Sequence, residues 1–276
     1  MILQNKNAVI YGAGGSIGST ISKAFAQAGA RVFLTGRNLA SVQKVADVIN
    51  TAGGKAVAAQ VDALDAASVN DHIERVIKES GAIDISFNCV GLEVVQNSPL
   101  IEMSVEDFVR PSQIAMRSHF LTATTAAKVM KERGRGVILS LTATPGGIGY
   151  PYTAGFAPAC SAMESFYRNL AAEVGIYGVR AVNIRSGGSP DSAVFKNAID
   201  SMPDIMAGVL QKMEADTMLK KLPLMADIAN AAVFLVSDLA GKITGVTVDV
   251  TCGTTSGLNY RAETTARNKM MQKTGL

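Results

Sequence analysis

Four glycines crowd the stretch YGAGGSIGST: Gly12, Gly14, Gly15 and Gly18. Set between an apolar run and a helical pattern, such a cluster strips away Cβ atoms. Backbone N–H groups at a helix N-terminus can then meet the oxygens of a pyrophosphate. A tight turn alone would also use glycines. Other residues with chemical potential are sparse. No lysine occurs between Lys131 and Lys196, and from Gly134 to Met163 the only titratable side chains are Arg135, Tyr150, Tyr152 and Cys160. A tyrosine with an unperturbed pKa near ~10 is a poor acid–base group at neutral pH unless a cation stabilises its anion. The Cys160 thiol has no His or Lys beside it in sequence to activate it, and a small buried filler accounts for it as well. His119 is of the type that most often moves protons near neutral pH, or is a structural or interface histidine. His72 lies in an exposed-looking helical pattern and carries no signal. Arg185 could hold an anion or make an ordinary salt bridge. Thr142 and Thr144 could donate to a ligand oxygen or satisfy a turn.

The elements that must position these residues alternate along the chain. Apolar runs occur at 7–12, 31–36, 56–62, 83–91, 136–143, 179–186 and 245–253. Their continuity predicts strands covered on both faces. Amphipathic segments such as SIGSTISKAFAQAGA, LASVQKVADVINTAGG and ASVNDHIERVIKESG lie between them. Repeated strand–helix–strand units predict an α/β, doubly wound Rossmann fold with a seven-stranded parallel sheet and helices on both faces. No proline- or glycine-rich linker divides the chain, so residues 1–260 are expected to form a single domain. A helical, Met-rich insertion at about 191–223 has the adaptable side chains of a lid over a ligand, or of ordinary core. Residues 261–276 form a polar tail.

The bulk numbers exclude several classes. A net charge of +3 is spread along the 276 residues, with no basic block for nucleic acid. Three widely spaced cysteines, none in a Cys-x-x-Cys pair, fit a reducing compartment and no disulfide framework. No apolar run approaches the ~18 residues of a membrane span. No metal-ligand spacing and no Gly-x-Ser-x-Gly hydrolase pattern occurs. A cytoplasmic chain without membrane or nucleic-acid partners is expected.

The glycine turn opens the first strand–helix–strand unit, which is the context of a dinucleotide site. NAD sites of this kind place an acid about 20 residues further on, at the end of the second strand. Here no Asp or Glu precedes Asp47, and the second strand runs into Arg37. An arginine there suits the 2′-phosphate of NADP(H); a solvated surface arginine is the plainer account.

The chain resembles the short-chain dehydrogenase/reductase family over nearly its whole length. GAGGSIG resembles the family's Gly-x-x-x-Gly-x-Gly, with Ser16 replacing the middle glycine. VDALD resembles the segment whose first Asp contacts adenine, and FNCVG the Asn-Asn-Ala-Gly stretch, matching at Asn88 and Gly91. NLAAEVGIYGVRAVNIRSG and DIANAAVFLVSDLAGKITGVTVDVTCG resemble the segments around the last two strands, with Ser186-Gly187 for Pro-Gly. The resemblance implies a nicotinamide cofactor against Gly12, Gly14, Gly15, Ser16, Ile17, Gly18, Arg37, Asp62, Ala63, Asn88, Gly91 and Gly187. It also implies a homotetramer or homodimer.

The family's reaction uses Asn, Ser, Tyr and Lys. Counting along the resemblance puts these positions at Ala115, Ala143 (with Thr142 or Thr144 as alternatives), Phe156 and Cys160, and all four depart. Tyr150 and Tyr152 precede Phe156 and would sit near the pocket mouth, as proton donors or as pocket lining. His119 follows Ala115 by one helical turn and could face the same cavity. Three functions remain open: an NADP(H)-dependent oxidoreductase on a small, partly apolar carbonyl or alcohol with a rearranged donor; a cofactor-binding sensor or partner subunit without turnover; and a non-redox enzyme reusing the pocket.

Overall fold

The structure, a computed structural model, describes residues 1–257; the tail 261–276 and residues 258–260 lie outside the described residues. Seven strands are found: β1 (Asn7–Tyr11), β2 (Arg31–Gly36), β3 (Lys55–Gln60), β4 (Ile85–Asn88), β5 (Gly136–Ala143), β6 (Val179–Ser186) and β7 (Thr247–Val250). They form one parallel sheet in the order β3-β2-β1-β4-β5-β6-β7. Eight α-helices accompany them among the described residues: α1 (Ser16–Gln27), α2 (Leu39–Thr51), α3 (Ala66–Ser80), α4 (Val105–Glu132), α5 (Phe156–Val174), α6 (Ala193–Ser201), α7 (Pro203–Ala215) and α8 (Met225–Val236).

Two apolar layers hold the sheet. Ile10, Leu34, Phe87, Leu139 and Val182 meet Ile21 and Phe25 of α1, Val42 and Ile49 of α2, and Ile228 and Leu235 of α8. Val9, Phe33 and Ile138 point the other way, onto Ile73 of α3, Ala126 and Met130 of α4, and Tyr167 and Leu170 of α5. Alternate residues of one strand thus serve both layers, which is why these strands are apolar throughout. Local signals set the helix starts. The Asn38 side chain accepts from the Ser41 N–H, and Asp65 does the same for Ser68.

Several strands are shorter than their apolar runs: β1 stops at Tyr11, and β4 spans only Ile85–Asn88 of the run 83–91. β3 ends before Val61-Asp62. β7 is bracketed by Gly245 (φ 69°) on one side and by Cys252 (φ 54°) and Gly253 (φ 89°) on the other, conformations that end a strand. The insertion after β6 is helical, as α6 and α7. It rests on the loop after β6: a Cβ on Gly188 would lie 2.5 Å from Met213 Cε and 2.8 Å from Phe195 Cζ. Met206 is buried, whereas Met202 and Met218 are about half exposed.

Candidate functional site

The strand order reverses between β1 and β4, and the glycine turn sits at the carboxyl end of β1, where such sheets bind ligands. Gly12 has φ 77°, and a Cβ there would lie 2.6 Å from the Cys89 carbonyl oxygen. A Cβ on Gly18 would lie 2.4 Å from the Gly12 carbonyl oxygen and 2.9 Å from Cys89 Sγ. A Cβ on Gly14 would lie 3.0 Å from Ser41 Cβ, while one on Gly15 would make only an ordinary contact. Gly15 caps α1 without a side chain, so the first-turn N–H groups of Ser16, Ile17 and Gly18 face the loop side. Turn and helix end thus fit a pyrophosphate. Ser16 is more than a permissive substitute, since its Oγ accepts from the N–H of Ala193, the first residue of α6, at 3.2 Å. The lid segment is thereby tied to the phosphate turn.

The other expected cofactor contacts lie around this turn. Asn88 is buried, donates to Thr122 Oγ1 (2.9 Å) and accepts from the Val90 N–H (2.9 Å), fixing the chain as it leaves β4. Asp62 accepts from the Leu64 N–H at 2.9 Å, and Ala63 beside it is buried. Gly91 has open space around it, whereas Gly187 donates its N–H to Val250 and packs on Pro223. Arg37 is exposed over 68% of its side chain, and its Nη2 lies 4.0 Å from Glu93 Oε1. No acid near Arg37 in sequence foretells this neighbour; the fold supplies it from beyond β4.

Ala115, Ala143, Phe156 and Cys160, from α4, β5 and α5, come together in one apolar cluster with Ala159, Met163, Leu92 and Met116. Cys160 is its only titratable group. Burial, and secondarily Glu164, push the thiol up to about 11, so it stays protonated at neutral pH. This supports the filler account of Cys160.

His119 does not join that cluster. Its ring lies edge-on to Tyr167, with Nδ1 3.0 Å from the Tyr167 hydroxyl. Burial lowers its pKa to about 3. Of the two roles open to His119, a proton donor facing the cavity beside Ala115 or a structural histidine, the geometry favours the second: the ring is turned into the α4–α5 layer, where a charge would lack solvation. His72 is buried too, not exposed, and burial lowers it to about 4.

Tyr150 and Tyr152 lie on the surface of the segment leading into α5. Partial burial, and secondarily the nearby Asp216, raise the pKa of Tyr150. Tyr152 is 58% exposed, adopts φ 60°, and accepts from the Asn97 N–H at 3.0 Å through its backbone carbonyl. Thr144 donates to the Ser186 carbonyl at 3.2 Å, satisfying the turn.

Sequence reasoning did not reach the polar network beside the apolar cluster. Ser140 donates to Asn183 Oδ1 (2.7 Å), Asn183 Nδ2 to Thr142 Oγ1 (2.7 Å), and Thr142 to Glu164 Oε1 (2.9 Å). Arg185 grips the same carboxylate through Nε (2.9 Å) and Nη2, and Asp249 through Nη1 (2.8 Å). Its guanidinium is therefore spent on protein carboxylates, the salt-bridging alternative. The backbone closes tightly over this pair: a Cβ on Gly146 would lie 2.6 Å from Glu164 Oε1, and one on Gly147 2.6 Å from Arg185 Cζ. The signal available in sequence was a lone acid, Glu164, one turn beyond Cys160 on the buried face of α5, which demands a partner.

A doubly wound sheet with a Cβ-free turn at its switch point defines a dinucleotide-binding protein of the Rossmann class. The chain belongs to the short-chain dehydrogenase/reductase family: residues 12–255 match the family profile described as enoyl-(acyl carrier protein) reductase. It is 31% identical over 258 residues to 7alpha-hydroxysteroid dehydrogenase of Escherichia coli K12, covering 93% of this chain and 97% of that one. It is 29% identical to the 3-oxoacyl-[acyl-carrier-protein] reductase FabG of the same organism, over 92% and 98% of the two chains. Among solved structures, levodione reductase superposes with a TM-score of 0.85 at 24% identity, covering 92% and 99%. Membership brings a nicotinamide cofactor with it. Among the described residues no helix is long and apolar enough to cross a membrane.

Proposed function

We propose that this protein is an NADP(H)-preferring oxidoreductase acting on a small, partly apolar carbonyl or alcohol, with its proton donor displaced from the family positions. The observation that carries it is the intact dinucleotide cradle, in which Gly12 and Gly18 admit no Cβ and Arg37 stands where an acid would favour NAD. A bound nicotinamide supplies the hydride chemistry. The chain's own residues orient it: the α1 N-terminus holds the pyrophosphate, Asn88 fixes the strand end, and the Ala115–Cys160 cluster offers an apolar wall that excludes water. Tyr152, exposed in the segment leading into α5, is the remaining candidate donor, with Tyr150 and Thr142 less suited. Burial raises the Tyr150 hydroxyl, and Thr142 already donates to Glu164. Exposed Ile101, Val105, Phe108 and Phe120 on and before α4 support self-association as a dimer or tetramer.

The apolar cluster favours a second reading, a cofactor-binding sensor or partner subunit without turnover, since no acid–base pair stands at the four positions. Titrating NADPH and NADH into the protein, and assaying NADPH oxidation against a panel of ketones and aldehydes, separates the two. Tight NADPH binding with substrate-dependent oxidation supports the oxidoreductase; binding with no oxidation across the panel supports the sensor. Failure to bind either dinucleotide would sink both.

A further inference from the structure

Arg37 follows β2 and Glu93 follows β4, and these strands flank β1 on opposite sides. A contact between the two side chains therefore spans the carboxyl end of β1, across the crevice that holds the glycine turn. Arg37 Nη2 lies 4.0 Å from Glu93 Oε1, and Arg110 Nη1, from α4, lies 3.3 Å from Glu93 Oε2. Side-chain exposures of 68% for Arg37 and 53% for both Glu93 and Arg110 leave all three free to rearrange. We infer that Glu93 is a specificity-determining carboxylate of the dinucleotide site, and that its charge lowers the preference for NADPH over NADH. The inference rests on Arg37 being the ligand of a 2′-phosphate.

The two cofactors meet Glu93 differently. A 2′-phosphate at Arg37 must share one guanidinium with a carboxylate of the same sign. Its dianion repels Glu93 and pushes it toward Arg110, which can retain it there. The 2′-hydroxyl of NADH carries no charge and offers a donor that a carboxylate accepts. Glu93 thus supplies from beyond β4 an acid that the end of β2 lacks. Exposure keeps the effect modest: a unit charge some ~6 Å from a dianion, in a water-like dielectric and partly screened, alters the affinity ratio about 3- to 10-fold.

The test uses the full chain, with dissociation constants for NADPH and NADH measured by fluorescence titration at about 20 mM and about 500 mM salt. Glu93→Gln keeps the shape and removes the charge. It should raise the NADPH-to-NADH affinity ratio about 3- to 10-fold at low salt, with the gain shrinking at high salt. Arg37→Ala, measured alongside, should weaken NADPH and leave NADH little changed. An unchanged ratio in Glu93→Gln at low salt, with Arg37→Ala still weakening NADPH, overturns the role of Glu93 and leaves that of Arg37 standing. Undiminished NADPH binding in Arg37→Ala overturns both.

Discussion

Arg185 and Glu164 meet end to end between β6 and α5, with Arg185 Nε 2.9 Å from Glu164 Oε1 and only 14% and 11% of the two side chains exposed. The two-point grip matches the planar fork of a guanidinium to a carboxylate. Thr142 and Asp249 satisfy the outer valences at 2.9 and 2.8 Å. Gly146 and Gly147 close over the pair, so the turn between β5 and α5 is shaped by it.

Removing one partner strands the other. Arg185→Met should destabilise the protein by about 3–5 kcal/mol, because the carboxylate stays behind in a nearly closed site. Arg185→Met with Glu164→Met should recover a large part of that loss, since a well-packed apolar pair of similar volume replaces a buried ion pair at little cost. Urea unfolding of parent, single and double variants measures it. Equal losses in the single and double variants would show that Arg185 acts through Asp249 rather than Glu164.

The two histidines set an acid limit on stability. Burial lowers His119 to about 3 and His72 to about 4, whereas an unfolded histidine titrates at 6.5. Below the unfolded value the unfolded chain takes up protons that the folded chain refuses. Stability is therefore fully present above about pH 6.5 and falls as pH drops toward 4, by up to about 1.4 kcal/mol per pH unit for each histidine. Unfolding free energies measured from about pH 7 to about pH 4.5 should show this slope, and His119→Gln should reduce it by roughly half. A flat profile in the parent protein would mean that both rings are protonated in the fold.

The glycine turn admits no side chain at Gly12 or Gly18. Gly18→Ala places a Cβ 2.4 Å from the Gly12 carbonyl oxygen, and backbone must shift to admit it. Overpacking of this kind costs about 1–3 kcal/mol, and it displaces the N–H groups meant for pyrophosphate. Dinucleotide binding should fall at least about tenfold, the equivalent of about 1.4 kcal/mol. Gly15→Ala, whose Cβ would stand 3.5 Å from its nearest neighbour, is the control and should lose far less. Calorimetric titration of both variants decides it.

How much of this was legible depended on range. The sheet, its parallel sense and the glycine turn were readable because each rests on a local pattern: apolar strands, 3.6-residue periodicity, and glycines between them. Positive φ at Gly245, Cys252 and Gly253 trimmed β7, and dihedrals are not written in apolarity. The role of His119 stayed open because helical spacing placed it one turn from Ala115 but could not say which way the ring turns. The partner that holds it, Tyr167, is 48 residues away. Glu93 beside Arg37, and Glu164 beside Arg185, were invisible for the same reason: each pair is assembled by strand order rather than by neighbours in the chain.

Turnover of the family's ordinary kind should be weak. The four positions are Ala115, Ala143, Phe156 and Cys160, and none of these side chains carries a hydroxyl or a cation. NADPH oxidation against the best ketone or aldehyde of a broad panel should stay well below the ~10 s⁻¹ typical of enzymes. Whatever rate remains should pass through Tyr152, which is exposed and held at φ 60° with its carbonyl on the Asn97 N–H at 3.0 Å. Tyr152→Phe should then lower kcat about 10²- to 10⁴-fold, the usual worth of a positioned proton donor. Its NADPH affinity should stay unchanged, since Tyr152 belongs to the segment leading into α5 and not to the glycine turn. An unaltered kcat in Tyr152→Phe would return this tyrosine to pocket lining. Full enzyme-like turnover that survives Tyr152→Phe would show that a donor other than Tyr152 serves the reaction.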